Sequence, residues 1–154
     1  MNIIDKYITN TNNYSTKYNS HKYIVIHETD NTDKGANALA HYKNLQNNNC
    51  SMVGAHYFVD DNYIYHVVRD EHTIYHTGKK YSNKINRPEV NNSNSIGIEI
   101  CVNSDGNYSN AVFNAKELVI FLMKKYNIPY TNVVRHYDSA GKQCPSTMLK
   151  KPSI

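Results

Sequence analysis

Tryptophan is absent from this chain, and its 154 residues include only three cysteines, four prolines and six glycines. So little glycine and proline excludes a collagen-like chain. The cysteines, Cys50, Cys101 and Cys144, cannot all pair with one another and are too few for a disulfide-stapled miniprotein. No apolar run approaches the roughly 18 residues that a membrane-spanning helix needs. The N-terminus has no basic start followed by an apolar core, so no secretory leader is expected. Charge is sparse as well: Asp, Glu, Lys and Arg make up 19% of the chain, and the formal net charge is +4. That composition does not suit a coiled coil. Lys and Arg form no stripe, the densest clusters being the pairs at 79–80, 124–125 and 150–151. A nucleic-acid partner is therefore not expected, whereas attraction to an anionic polymer stays compatible with the weak positive charge.

What is present is asparagine in quantity and 14 tyrosines. Tyrosine buries a large apolar area, and the low net charge does not force the chain apart, so it reads as folded. Its length suits one domain around one core. The first twenty residues show no period and read as an arm. Tyr23-Ile24-Val25-Ile26-His27 is a β-branched run and predicts a buried strand. Residues 36–46 predict a short helix with Ala38, Tyr42 and Leu45 on one face, ended by Asn47-Asn48-Asn49. Short strands follow at 55–59, 63–68 and 73–76, the first two joined by a turn at 60–62. The Asn-rich loop 83–94 reads as surface. At 95–102, Ile96, Ile98, Ile100 and Val102 alternate with Ser95, Gly97, Glu99 and Cys101, the pattern of a strand with two different faces. A helix is predicted to begin at Asn114, with Ala115, Leu118, Val119, Leu122 and Tyr126 as its apolar stripe and Pro129 as its stop. A last strand covers 133–135. This order predicts a mixed α/β fold, a central mixed sheet of about five to six strands flanked by helices.

Three features carry chemistry. His27 closes the first strand, Glu99 stands on the polar face of another, and 135–145 holds His136, Lys142 and Cys144. Two imidazoles and one thiolate are the composition of a catalytic zinc site, which leaves a fourth position for water. No compact metal-binding signature accompanies them, so spacing alone leaves a plainer alternative. Each His would be an ordinary hydrogen-bonding residue, Cys144 a small buried side chain, Glu99 half of an ion pair and Lys142 a solvated lysine. His21, His41, His66 and His72 keep that plainer reading, and Cys50 and Cys101 read as structural.

The strings Ile24-Val25-Ile26-His27-Glu28-Thr29, Ala55-His56-Tyr57-Phe58-Val59-Asp60, Tyr75-His76-Thr77-Gly78, Asn94-Ser95-Ile96-Gly97-Ile98-Glu99-Ile100, Arg135-His136 and Lys142-Gln143-Cys144-Pro145 occur in that order. Together they resemble the zinc-dependent N-acetylmuramoyl-L-alanine amidases, in the branch that includes phage endolysins, autolysins and peptidoglycan recognition proteins. The resemblance implies one zinc ion held by His27, His136 and Cys144, with Glu99 and Lys142 as the catalytic pair. It implies hydrolysis of the amide between N-acetylmuramic acid and L-alanine in peptidoglycan. His56, Tyr75 and His76 fall in family blocks and are the candidate substrate contacts. Relatives often carry Trp where Tyr75 stands, and some place a catalytic Tyr where this chain has His56 beside Tyr57.

The resulting expectation is a single catalytic domain over 1–154, its motifs within 24–145, either a minimal enzyme or a domain cut from a longer protein that carries a wall-binding module. It acts as a monomeric endolysin, made in a host cytoplasm without a signal peptide and reaching the cell wall after membrane permeabilisation. Neither nucleic acid nor membrane insertion is involved. Two alternatives stay open on the same fold, a bacterial autolysin and a non-catalytic peptidoglycan-binding module; retention of Cys144 speaks against the latter.

Overall fold

The computed structural model describes residues 1–47 and 53–151. Its strands are β1 (Ile3–Asp5), β2 (Tyr14–Tyr18), β3 (Tyr23–Glu28), β4 (Tyr57–Val59), β5 (Ile64–His66), β6 (His72–Ile74), β7 (Ser95–Ile100) and β8 (Val133–Arg135). The helices are α1 (Ala38–Asn47), α2 (Tyr108–Tyr126), α3 (His136–Ala140) and α4 (Ser146–Lys150). Six strands form one mixed sheet, the predicted fold class, in the order β1-β5-β4-β7-β3-β8. Within it β4, β7, β3 and β8 run parallel, and β5 returns antiparallel to β4 through the turn at 60–62. Asp60 makes that turn by accepting the Asn62 and Tyr63 N–H groups, at 2.8 and 2.7 Å.

Both faces of the sheet are covered. The isoleucines of β3 and β7 (Ile24, Ile26, Ile96, Ile98 and Ile100) pack under Ala111, Ala115, Leu118 and Leu122 of α2. On the opposite face Phe58, Tyr65 and Cys101 pack with Ala38 and Leu45 of α1. Burial of that many aliphatic side chains, at about 1.5–3 kcal/mol for each when complete, is the principal force holding the layers together. Cys101 is a packed core residue, as expected, while Cys50 and the predicted helix stop at Asn48 and Asn49 lie outside the described residues.

Three expectations are corrected. The N-terminal arm contains two strands: β1 adds to the sheet beside β5, and β2 pairs with β6 in a separate two-stranded sheet. Polar side chains and the absence of alternation hid them, because β2 is exposed along most of its length. Helix α2 begins at Tyr108, not Asn114, because the Asn107 side chain accepts the Asn110 N–H and caps the helix nearly two turns earlier. Its C-terminus lies at Tyr126, where Asn127 adopts a left-handed conformation and donates to the Met123 carbonyl. The loop 83–94 is more than surface, since Asn92 Oδ1 accepts the N–H groups of His76 and Thr77 at 3.1 and 2.8 Å.

Candidate metal centre and active site

The site lies at the C-terminal ends of three adjacent parallel strands, β7, β3 and β8, a common place for chemistry in parallel sheets. Register alone sets its first three members side by side. His27 is opposite Glu99 on β7, and Ile26 is opposite Arg135 on β8, so the next residue along each strand puts His27 beside His136. His136 is the first residue of α3. Asp138 fixes that helix start by accepting the Arg135 N–H at 2.9 Å and pairing with its guanidinium at 2.8 and 2.9 Å.

Cys144 reaches the same point by a tight return. Gly141 turns the chain at φ +74°, a conformation that favours glycine, and a Cβ there would lie 2.6 Å from that of Ser82. The Tyr137 N–H then donates to the Cys144 carbonyl at 2.8 Å, closing the loop. The Glu28 N–H donates to Cys144 Sγ at 3.4 Å. His27 Nδ1 stands 3.0 Å from His136 Nδ1 and 3.9 Å from Cys144 Sγ, and all three side chains are buried.

This cluster can hold a metal ion, one ligand atom from each residue within 4.8 Å of the others. The surrounding electrostatics ask for a cation. Burial and the neighbouring Glu99 push the Cys144 thiol up to about 12. Burial likewise pushes Glu99 up to about 8, the Lys142 charge pulling it down and Asp30 and Glu28 adding to the rise. Glu99 Oε1 is 4.0 Å from His27 Nδ1, while its buried Oε2 has no hydrogen-bond partner among the described residues. Burial also lowers His136 to about 4, helped by the charges of Lys142 and Lys80, and holds His27 and His76 well below the usual imidazole value. Neutral imidazoles with free lone pairs are what metal ligation requires.

The cluster opens into a cleft of about 420 Å³ lined by Glu99, Lys142, Tyr75, His76, Lys79 and Tyr81 among others. Lys142 sits on the cleft wall two residues before Cys144, its Nζ 5.5 Å from the Tyr81 ring centre. Of the candidate substrate contacts, Tyr75 and His76 line the cleft and His56 does not. His56 is fully buried; its Nδ1 accepts the Gly97 N–H at 3.0 Å and its Nε2 donates to the His72 carbonyl at 2.9 Å. It braces β4 against β7 and has no free polar atom to offer a ligand. Both His76 nitrogens are likewise engaged, by His27 and Ser95 at 3.0 Å each. Tyr57 turns its hydroxyl away to Asp70.

Two participants escape the sequence reading. Glu28 is buried and accepts from the Tyr108 hydroxyl, from the Thr147 N–H at 2.7 Å and from Ser146 Oγ at 3.2 Å, tying α2 and α4 to the end of β3, the strand that carries His27. Its place directly after His27 was the available signal. Tyr81 is an exposed ring flanked by Lys79 and Lys142 at the cleft mouth, in a stretch with no pattern to mark it.

A sheet of this topology, with an open cleft above a His-His-Cys cluster that could hold a metal ion and a half-buried carboxylate beside it, has the make-up of a hydrolase site. The particular family follows from comparison. The N-acetylmuramoyl-L-alanine amidase family model matches residues 17–147, and the chain belongs to that family. It is 42% identical over 127 residues to the N-acetylmuramoyl-L-alanine amidase CwlH of Bacillus subtilis, a match covering 82% of this chain and 48% of CwlH. It is 39% identical to XlyA of the same organism, covering 82% of this chain and 40% of that protein. The chain thus spans about half the length of the curated relatives it matches, or less. The catalytic domain of XlyA superposes with a TM-score of 0.87 at 36% identity, covering 98% of this chain and 94% of that domain.

Proposed function

We propose that this chain is a zinc-dependent amidase domain that hydrolyses the bond between the lactyl group of N-acetylmuramic acid and L-alanine in peptidoglycan. The observation that carries the reading is the convergence of His27, His136 and Cys144 on one point beneath an open cleft, with Glu99 and Lys142 on its walls. His27, His136 and Cys144 hold the ion. Bound there, zinc supplies a Lewis acid and makes water reactive at neutral pH.

The protein's own groups do the rest. Glu99 Oε2 is buried and unpartnered, so it is placed to accept a proton from the attacking water and return it to the leaving alanine nitrogen. Lys142 is the fixed positive charge on the cleft wall and stabilises the oxyanion that develops on the scissile carbonyl. Tyr75 and Tyr81 offer rings to the sugar or stem peptide. The cleft is open, as a polymeric substrate requires. The setting we favour is an endolysin acting on the cell wall as a monomer; among the described residues no helix is long and apolar enough to cross a membrane.

The test is digestion of purified cell walls with and without a chelator, followed by zinc restoration and end-group analysis. New L-alanine amino termini, lost on chelation and regained with zinc, are expected. New reducing sugar ends would make the protein a glycosidase. Binding without new ends would make it a recognition module and remove the roles of Glu99 and Lys142.

A further inference from the structure

Beneath His27 lies a line of hydrogen bonds whose direction is fixed from its far end. Ser95 Oγ lies 2.5 Å from the Asn91 carbonyl oxygen, which has no proton to give, so the hydroxyl proton of Ser95 is committed there. Towards His76 Nε2, 3.0 Å away, Ser95 Oγ therefore acts as acceptor, and Nε2 carries the proton of that ring. A neutral His76 then presents a lone pair at Nδ1. His27 Nε2 is 3.0 Å from that lone pair and must donate to it. What remains on His27 is a lone pair at Nδ1, the atom that faces His136 Nδ1 and Cys144 Sγ.

The His76 ring is seated to hold this order. Asn92 fixes its backbone, and its face rests on Gly97, where a Cβ would lie 2.8 Å from His76 Nδ1. We propose that His76 and Ser95 are positioning residues that lock His27 in the Nε2–H tautomer and so aim its Nδ1 lone pair into the metal centre. His76 thus does for His27 what a carboxylate or backbone carbonyl does for many metal-ligating histidines, with the Asn91 carbonyl as final anchor. This inference rests on the proposed ligand set and deepens it.

The experiment measures two quantities on wild type, His76→Leu, His76→Asn and Ser95→Ala. One is the zinc dissociation constant by chelator competition. The other is the imidazole ¹⁵N shifts of His27 in metal-free protein, which report the tautomer directly. Wild type is expected to show the Nε2–H form. His76→Leu, which removes the acceptor, should weaken zinc binding by about 10–100-fold and lose the single tautomer. His76→Asn keeps an acceptor oxygen near the Nδ1 position and should restore both. Ser95→Ala, a small change that keeps the fold if His76→Leu does not, should shift both in the same direction as His76→Leu. An Nδ1–H tautomer in wild type, or wild-type zinc affinity and tautomer in Ser95→Ala, would overturn the relay. If wild type takes up no zinc, the ligand set itself fails, and the tautomer measurement still decides whether the relay exists.

Discussion

Glu99 is the residue on which the chemistry turns, and its neighbours separate binding from turnover. Its carboxylate is not within the His-His-Cys ligand cluster, so Glu99→Gln should keep about one zinc per chain by metal analysis while lowering turnover by about 10²–10⁴-fold. Wild-type rates in that variant would remove Glu99 as the base. Cys144→Ser should do the reverse at the metal: a hydroxyl is a far poorer zinc ligand than a thiolate, so zinc content after dialysis should fall along with activity. Individual residues were legible to different degrees. His27 and Glu99 stood out because each breaks the apolar pattern of a strand. His56 and His76 looked alike in the sequence, both beside aromatic residues in family blocks. In the folded protein they part: the first spends both nitrogens on backbone groups and the second on His27 and Ser95.

Among elements, β3 with its β-branched run and β7 with its alternation were readable almost to the residue, because a face pressed on α2 favours branched aliphatics. Helix α2 was readable in its apolar stripe but not in its start, since capping by Asn107 is one asparagine's work in a chain full of them. Helix α3 and the return to Cys144 had no periodicity to detect. That return is held by a left-handed glycine, a side-chain cap and three short-range backbone bonds, so it depends on the glycine keeping its conformation. Gly141→Ala should cost about 1–3 kcal/mol in urea unfolding, from the strained φ and the crowding against Ser82. It should also weaken zinc retention, because the loop carries one end of the ligand set. A variant that unfolds as wild type does would show that the loop adapts without strain.

At the scale of the whole molecule, two buried groups away from the metal cluster, His56 and Asp70, each add a stage to the response to acid. Burial lowers His56 to about 4, so between its unfolded value near 6.5 and that pH the unfolded chain takes up a proton that the folded one refuses. Its contribution is therefore complete above about 6.5 and declines as pH falls. Asp70 adds a second stage. Burial alone would raise it, but contacts from His66, Tyr126 and Tyr57 prevail and hold it well below the usual carboxylate range. Its contribution is present above its unfolded value near 4 and is lost as pH falls below that. Urea midpoints should therefore decline from about pH 6.5 and more steeply below about 4, and Asp70→Asn should flatten the lower limb. An unchanged lower limb in that variant would clear Asp70 of the role. None of this was legible in the sequence, where Asp70 is one polar residue in a turn and its partners lie on β4, β5 and α2. The outermost strands carry a different consequence. β1 and β8 are each three residues long, and β1 ends in Asp5 as β8 ends in Arg135. The wholly buried β5 lies just inside β1. Short, charged borders of this kind give a second sheet little to pair with. The same two borders that finish the fold should thus also disfavour growth of one copy onto the next in a crowd, an outcome that light scattering against concentration would check.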